Sequence, residues 1–349
     1  MRVVVVGATG NVGTSLLEAL ASETAVDEVV AVARRAPQRE FPRTTFVSAD
    51  IARSQLAPIF RGADAVVHLA WLIQPGRDES TTRGVNVDGS RRLFAAAVEA
   101  KVPLLVYASS VGAYSPGPKD RFVDESWPTE GVASSFYGRH KAAVERDLDR
   151  LEREQPTLRV VRMRPGLIFK AHAATEIRRL FAGPLLPRRL VSSRFVPVVP
   201  ETPRLCFQVV HSHDVGDAYR RALLAGARGP FNLAAEPPIG PAELAEVLSA
   251  RTVPVPARAL RTAAAITFKL RLQPSEPGWL DLALAVPLMD SSRAKSELGW
   301  EARHGSLETL SELLRGMQQG TDYPTPPLAH GASGPLRIRE LLTGLGARP

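Results

Sequence analysis

From Val3 to Gly13 the chain carries the stretch VVVVGATGNVG, which joins four consecutive valines to three glycines spaced three residues apart. A continuous apolar run of this kind is typical of a parallel strand that is buried on both faces. Gly7 allows a tight turn after the strand, Gly10 allows the backbone to approach a pyrophosphate, and Gly13 allows a helix to pack closely on the sheet. The stretch therefore predicts a strand and a turn, followed by a helix over Thr14–Ala21.

The predicted helix would begin beside that pyrophosphate. Its free N–H groups and the positive end of its dipole both favour a bound anion. A glycine triplet alone is weak evidence for a dinucleotide site, but this one follows a strand and opens a helix, which is the context that the motif requires. The alternative is a glycine-rich turn without a ligand. We favour a dinucleotide site that includes Gly7, Thr9, Gly10, Asn11, Val12 and Gly13.

Length and composition describe an ordinary globular protein. The 349 residues exceed one small core, and 44% of them are hydrophobic and 23% charged. The single cysteine, Cys206, excludes an intrachain disulfide framework and a cysteine metal site, and it fits a reducing compartment. No segment reaches the roughly 18 consecutive apolar residues of a membrane helix. We expect a cytoplasmic protein that binds no metal and no membrane.

The positive charge is concentrated in one segment. The formal net charge is +8, and residues 159–204 carry nine arginines and one lysine against Glu176 and Glu201. This segment indicates either a clamp for an anionic ligand or a solvated surface, and the sequence does not decide between the two. No basic stripe interleaved with aromatic residues accompanies it, so we expect no nucleic-acid partner.

Apolar strands alternate with helical patterns in the first half of the chain. This alternation predicts an α/β fold, a Rossmann-type doubly wound parallel sheet with helices on both faces. Helices are predicted over Ser90–Ala100 and Ser134–Glu154. The predicted strands are Val3–Val6, Glu28–Ala33, Thr45–Val47, Ala65–Leu69, Leu104–Ala108 and Arg159–Met163.

The pattern loosens after Pro165, because prolines interrupt regular structure repeatedly. We expect a dinucleotide-binding core over residues 1–170 and a smaller substrate-binding lobe over 171–310. Core elements are expected to return within that lobe near 205–235 and 286–300. Residues 311–349 are expected to form a helix end and a Pro/Gly-rich tail. The tail from Gly320 is expected to pack loosely, apart from a short helix near Ile338–Leu342.

A tyrosine and a lysine four residues apart, Tyr137 and Lys141, project from one face of a predicted helix. A free tyrosine has a pKa of about 10, which is too high for a general base at neutral pH. A neighbouring ammonium, with an oxidised nicotinamide close by, favours the phenolate and is expected to lower that pKa. The same lysine can hold the ribose of a nicotinamide coenzyme. Such pairs also occur by chance on solvated helices, and the preceding glycine motif argues against that alternative.

Two serines follow the fifth predicted strand, in the stretch Tyr107-Ala108-Ser109-Ser110-Val111-Gly112-Ala113-Tyr114. Ligands bind at the carboxyl ends of strands in open α/β sheets. A serine at that point can hydrogen-bond a substrate oxygen and stabilise the charge that develops during hydride transfer. The alternative is a pair of ordinary turn serines.

Together these motifs resemble those of extended short-chain dehydrogenases/reductases, the NAD-dependent epimerase/dehydratase family, over about residues 1–310. The resemblance implies Ser110, Tyr137 and Lys141 as the catalytic set, with Asp50-Ile51 contacting the adenine. It also implies a homodimer formed through two helices of each subunit. Further matches are His68-Leu69-Ala70, Asn86-Val87-Asp88-Gly89, Arg164-Pro165-Gly166, His211-Ser212-His213-Asp214-Val215, Phe231-Asn232-Leu233 and Leu298-Gly299-Trp300. By that resemblance Leu69, Ala70, Asn86 and Pro165 join Tyr137 and Lys141 in the coenzyme site.

The chain departs from the family at the end of the second predicted strand. The acidic residue that usually holds the ribose 2′-hydroxyl is replaced by Arg34 and Arg35. An arginine there suits a 2′-phosphate, so we expect NADP to be preferred to NAD.

Two further departures concern the substrate. Dehydratases of the family resemble Ser/Thr-Asp-Glu at the serine motif, whereas this chain has Val111 and Gly112 there and no acid to protonate a leaving hydroxyl. Nucleotide-sugar epimerases place arginines where this chain has Phe207 and the apolar stretch Trp279–Leu284. Both departures favour a less charged, more apolar substrate, whereas the cationic segment favours an anionic one.

The sequence thus predicts an NAD(P)-dependent oxidoreductase that moves hydride between nicotinamide and a secondary alcohol or ketone. Its expected partner is a small-molecule substrate. One alternative is a nucleotide-sugar 4-epimerase, in which the hydride returns to the same substrate. Another is a non-catalytic regulatory protein that binds NADP(H).

Overall fold

The computed structural model describes residues 1–73, 78–181 and 197–329. The strands are β1 (Arg2–Val6), β2 (Glu28–Ala33), β3 (Thr44–Ser48), β4 (Ala65–His68), β5 (Leu104–Ala108), β6 (Phe122–Val123), β7 (Arg159–Pro165), β8 (Leu167–Phe169), β9 (Val198–Glu201), β10 (Val209–His211), β11 (Gly229–Leu233), β12 (Arg251–Pro254) and β13 (Leu288–Met289).

The helices of these ranges are α1 (Asn11–Ala21), α2 (Ala57–Phe60), α3 (Glu79–Arg83), α4 (Gly89–Glu99), α5 (Phe136–Glu154), α6 (Ala174–Phe181), α7 (Ser212–Leu224), α8 (Pro241–Leu248), α9 (Ala257–Lys269), α10 (Gly278–Ala285), α11 (Ser292–Leu298) and α12 (Ser306–Gln319). A π-helical turn, Gly84–Asp88, leads into α4. Short 3-10 turns occupy Val111–Ala113 and Ala171–Ala173.

In the described part of the chain, seven strands form one parallel sheet in the order β11-β7-β5-β4-β1-β2-β3. The six predicted strands all belong to it, with ends that differ from prediction by at most two residues. Val3, Val4 and Val5 of β1 are fully buried, as a central strand covered on both faces requires. The predicted doubly wound α/β fold is therefore confirmed.

Two apolar layers cover the sheet, one on each face. On one side α1 packs against α7, and the missing side chain of Gly216 permits this, because a Cβ there would lie 2.8 Å from the backbone of Ser15. The other layer comes from α4 and α5, which bury Leu93, Val144 and Leu148. Because the central strands are parallel, their carboxyl ends lie along one edge of the sheet between these two layers. The predicted site residues lie at that edge.

The chain returns to the core after residue 200. β11 pairs with β7 at the edge of the large sheet, within the predicted returning stretch 205–235. Two short pairings, β8–β10 and β6–β13, join the second half of the chain to the first, and β9 pairs with β12 within the second half. The division into a core and a lobe at residues 170 and 310 stays a prediction. No helix within the described ranges is long and apolar enough to cross a membrane.

The expectation of a loosely packed tail is wrong for residues 320–329. Tyr323, Thr325 and Leu328 are buried against the core. Tyr323 and Leu328 lie in the same apolar cluster as α1. The sequence did not predict this, because a short polar segment can carry a few large side chains into a gap in the core that the local sequence does not reveal. The predicted helix near Ile338–Leu342 lies outside the described residues.

Candidate active site

The glycine loop after β1 has the geometry that its three glycines permit. Gly7 has a φ of +88°, and a Cβ there would lie 2.6 Å from the backbone nitrogen of Ala70. A Cβ on Gly13 would lie 2.5 Å from the Gly7 oxygen, so α1 packs on the loop itself. At Gly10 a Cβ would meet only that oxygen, at 3.5 Å, which leaves the loop backbone open to a ligand.

The N-terminus of α1 is available to an anion. Gly10 precedes the helix, and within the described part of the chain no side chain caps it. The first turn holds no acidic residue, and helix N-terminal N–H groups and the dipole favour a phosphate. Asn11 and Val12, both half-buried, open this turn, and the Asn11 amide donates to the Ile168 carbonyl at 3.2 Å. The loop and the helix end therefore fit a dinucleotide pyrophosphate.

A groove runs along the carboxyl ends of the strands from this loop. Residues that the sequence did not single out for the coenzyme also line it, namely Trp71, Leu72, Val85, Glu176, Pro326 and Pro327. Glu176 and the two prolines come from distant parts of the chain, so no local motif could have identified them. The predicted coenzyme residues that line the groove are Gly7, Thr9, Gly10, Arg34, Arg35, Asp50, Ile51, Leu69 and Ala70.

Seven predicted coenzyme residues do not line the groove, namely Asn11, Val12, Gly13, Asn86, Tyr137, Lys141 and Pro165. Asn86 is fully buried, and its amide nitrogen donates to the Leu72 carbonyl while its amide oxygen accepts from the Leu72 N–H, at 2.8 and 2.7 Å. Because Leu72 lines the groove, Asn86 shapes the groove through this clamp rather than by contact. Pro165 is buried at the end of β7, in register with Leu233.

The end of the groove beyond β2 is cationic. Arg34 and Arg35 follow the strand directly, and both are exposed. Across from them Asp50 and Ile51 follow β3, where the Asp50 carboxylate accepts from the Ala52 N–H at 2.8 Å. This arrangement places positive charge at the point where the strand order predicts the adenosine ribose.

Ser110 and Tyr137 both lie beside Gly112, next to Trp71, which lines the groove. The Gly112 N–H donates to the Ser110 hydroxyl oxygen at 3.0 Å. Gly112 also lies against the tyrosine, because a Cβ there would be 2.8 Å from Tyr137 Cε1. A larger residue at this position, such as the acid of the dehydratases, would displace the tyrosine ring.

The expected lowering of the tyrosine pKa is wrong for this structure. Burial raises the pKa of Tyr137 to about 12, and the hydrogen bond from Ser110 opposes the rise only in part. The Lys141 ammonium lies 5.7 Å from the tyrosine ring centroid. The neutral phenol is therefore the favoured form.

Lys141 is buried below the tyrosine. Its Nζ donates to the Ala108 carbonyl at 2.6 Å and lies 3.5 Å from the centroid of the Trp71 ring. Burial lowers the pKa of Lys141 well below its usual value, and the charge of Glu145 opposes this. The lysine thus lies between an aromatic face and a backbone carbonyl, beside the groove.

Aromatic and aliphatic side chains surround the tyrosine. Its ring lies 4.9 Å from that of Trp279 on α10 and 6.0 Å from that of Trp71. Leu282 and Val132 complete the apolar cluster. The stretch that replaces the epimerase arginine therefore forms part of the wall around Tyr137.

A buried ionic network, which the sequence motifs did not predict, lies one helical turn beyond Lys141. Glu145 is fully buried and accepts from Ser109 at 2.5 Å, from Arg164 Nε at 2.9 Å and from Arg162 at 2.9 Å. The Tyr114 hydroxyl accepts from Arg164 at 3.0 Å. The signal was present, since Glu145 continues the four-residue spacing of Tyr137 and Lys141.

The network also accounts for part of the cationic segment. Arg162 and Arg164 are buried on Glu145, and Lys170 is buried against α1, where it donates to the Asn11 carbonyl at 3.0 Å. These three cations hold the core together, so neither predicted explanation, a ligand clamp or a solvated surface, applies to them.

Comparisons with known proteins agree with this geometry. The model of the NAD dependent epimerase/dehydratase family matches residues 3–234. An uncharacterized protein of Mycobacterium tuberculosis is 27% identical over 328 residues, which cover 90% of this chain and 83% of that protein. UDP-glucose 4-epimerase of Neisseria gonorrhoeae is 25% identical, with 90% and 97% of the two chains covered.

A solved structure shows the same fold. It is the UDP-glucose-4-epimerase from Stenotrophomonas maltophila, crystallised with bound NAD and formylated UDP-arabinopyranose. The TM-score is 0.68 at 23% identity, with 92% of this chain and 98% of that chain covered.

Proposed function

This chain belongs to the NAD-dependent epimerase/dehydratase family, and from that premise we propose that it transfers hydride between NADP and a secondary alcohol or ketone. The observation that carries the proposal is that Tyr137 and Lys141 both lie against Trp71, which lines the glycine-lined groove, with Ser110 beside Tyr137. Nine residues predicted to hold the coenzyme line that groove together.

Each side chain of the set has a distinct task. Bound nicotinamide would supply or accept the hydride. In the direction of reduction, the Tyr137 hydroxyl donates its proton to the carbonyl oxygen, which becomes the alcohol, and burial keeps the tyrosine protonated for this step. Ser110 holds the same oxygen by hydrogen bonding, and Lys141 holds the nicotinamide ribose and stabilises the phenolate left behind.

The coenzyme is proposed to be NADP because of the cationic end of the groove. Arg34 is exposed where family members usually carry an acid, and a guanidinium can hold a 2′-phosphate through two charge-assisted hydrogen bonds. Titration of wild type and Arg34→Ala with NADPH and NADH tests this assignment. We expect the wild type to prefer NADPH by about tenfold or more and the variant to lose that preference. Equal affinities in the wild type would contradict it.

The substrate is proposed to be apolar rather than a nucleotide sugar. Trp279 and Leu282 lie beside Tyr137, and Phe207 stands where epimerases carry an arginine for the substrate pyrophosphate. An apolar wall favours a ring or alkyl group next to the reacting carbon.

A nucleotide-sugar 4-epimerase is the second candidate, and the similarity to the Neisseria gonorrhoeae enzyme along 90% of this chain favours it. An epimerase returns hydride to its substrate, so it would convert UDP-glucose without net oxidation of coenzyme. Net consumption of NADPH with an apolar ketone supports the oxidoreductase.

The deciding experiment compares Tyr137→Phe with Tyr219→Phe on a panel of ketones and alcohols. Tyr219 lies on α7, is 1% exposed and does not line the groove, whereas Tyr137 is half-buried beside Trp71. We expect Tyr137→Phe to lower kcat by about 10²–10⁴-fold, the usual contribution of a general acid, and Tyr219→Phe to retain activity. Full turnover by Tyr137→Phe would overturn the assignment. NADPH binding without turnover of any substrate would favour the regulatory alternative.

A further inference from the structure

The segment after α12 crosses the face of the coenzyme groove. We name residues 321–329 the C-terminal strap. Tyr323 is 4% exposed, Thr325 1% and Leu328 not at all, so these three side chains anchor the strap in the core. In the sequence, these residues follow the glycine loop by more than 300 positions.

The strap is attached to the glycine loop itself. The Thr325 hydroxyl donates to the Thr9 carbonyl at 2.9 Å, in a hydrogen bond that is fully buried. On one side of this bond the Gln38 N–H donates to the Pro324 carbonyl at 3.1 Å. The strap is therefore joined both to the loop that follows β1 and to the segment that follows β2.

A tyrosine fixes the strap to α1. The Tyr323 hydroxyl donates to the Glu18 carboxylate at 2.6 Å. The guanidinium of Arg39 lies 5.1 Å from the tyrosine ring centroid, and the Lys170 ammonium lies 5.4 Å from it. These contacts place the tyrosine under the same helix whose N-terminus fits the pyrophosphate.

Beyond these attachments the strap lines the groove. Pro326 and Pro327 form its wall together with Thr9, Gly10 and Arg34. Proline has no N–H to donate and a fixed φ, so the pair presents a stiff apolar surface. This surface lies at the adenosine and pyrophosphate end, away from Tyr137.

We propose that the strap is a retaining wall of the coenzyme site, which covers the bound dinucleotide and slows its release. The inference rests on the proposed function, because it takes the groove to be the dinucleotide site. Release of the coenzyme past the wall requires Thr325 to leave Thr9 and the buried strap to become exposed. Weakening that one bond therefore accelerates release without touching the residues that transfer hydride.

The test is a stopped-flow measurement of NADPH release from wild type, Thr325→Val and the double variant Pro326→Gly/Pro327→Gly. Thr202→Val is the matched control, since Thr202 is also buried and donates to the Val255 carbonyl at 2.7 Å, far from the groove. We expect Thr325→Val to release NADPH about fivefold to tenfold faster, the effect of one lost hydrogen bond, and the proline variant to release it faster still. The control should release it at the wild-type rate.

The outcomes separate the two proposals. A wild type that binds neither NADPH nor NADH overturns the proposed function. If the wild type binds NADPH but releases it as fast as both strap variants do, the retaining-wall proposal is overturned and the proposed function is not. Should Thr325→Val fold poorly, Tyr323→Phe replaces it, because that change removes only the hydroxyl bond to Glu18. A faster release in Tyr323→Phe then supports the strap, and an unchanged release contradicts it.

Discussion

Two regions along one face of α5 bury charge in opposite ways. At the aromatic end, formed by Trp71, Tyr137, Lys141 and Trp279, the phenol and the ammonium lie among rings. At the ionic end, formed by Ser109, Glu145, Arg162 and Arg164, a fully buried carboxylate meets two guanidiniums and a hydroxyl. The helix positions 137, 141 and 145 are spaced four residues apart, so one helical face serves both ends.

The difference shows in the pKa values. Burial raises the pKa of Tyr137 to about 12 and lowers that of Lys141, so burial opposes the charged form of each group. At the ionic end burial also opposes the charge of Glu145, but Arg164 and Arg162 outweigh it and lower that pKa to about 2. Paired charges stabilise the fold, whereas unpaired titratable groups are available for proton transfer.

The largest expected effect comes from breaking the ionic end. Glu145→Ala leaves Arg164 buried with only neutral partners, and removing one member of a buried pair costs about 3–5 kcal/mol of unfolding free energy. Glu79→Ala is the control, because Glu79 forms an exposed pair with Arg139 at 2.6 Å and should cost less than about 1 kcal/mol. Urea denaturation measures both. Similar losses for the two variants would show that the buried pairing is not special.

The same carboxylate predicts a pH dependence. The pKa of Glu145 is lowered to about 2 in the folded state, so its charge stabilises the protein above its ordinary value of 4.5. That stabilisation is lost as the pH falls from about 4.5 to 2, by up to about 3 kcal/mol. The unfolding free energies of wild type and Glu145→Gln should therefore approach each other as the pH falls from about 4.5 towards 2, as urea denaturation would show. A constant difference over that range would contradict the prediction.

The sequence predicted the fold and nine of the residues that line the groove, because those features depend on local pattern. The valine run, the glycine spacing and the strand ends at Arg34 and Asp50 each lie in short continuous segments. Their geometry follows from parallel strands that end at one edge of a sheet.

What the sequence did not predict depends on contacts between distant segments. Pro326 and Pro327 reach the groove only because Tyr323 fills a gap beside α1. The sign of the tyrosine pKa shift was wrong for a related reason, since it depends on how far Trp279 and Trp71 exclude water from Tyr137. Burial by residues far away in the chain cannot be read from the four-residue spacing of tyrosine and lysine.

A smaller effect is expected at the aromatic end, where the Lys141 ammonium lies 3.5 Å from the Trp71 ring centroid. A desolvated contact between an ammonium and an indole contributes about 1–2 kcal/mol. A double-mutant cycle with Trp71→Leu and Lys141→Met isolates that coupling in unfolding free energy. A coupling below about 0.3 kcal/mol would mean that the ring merely lies close to the ammonium without stabilising it.

The smallest effect is expected when one hydroxyl is removed from the aromatic end. Tyr137→Phe should change the unfolding free energy by less than about 1 kcal/mol, because the lost bond from Ser110 is offset by easier burial of the ring. The identical change at Tyr114 reaches the ionic end, where its hydroxyl bonds Asn232 at 2.7 Å and Arg164 at 3.0 Å. Leaving those buried groups without a partner should cost about 1–3 kcal/mol. Urea denaturation of the two variants side by side compares the two ends directly, and a greater loss at Tyr137 would reverse the division of roles between them.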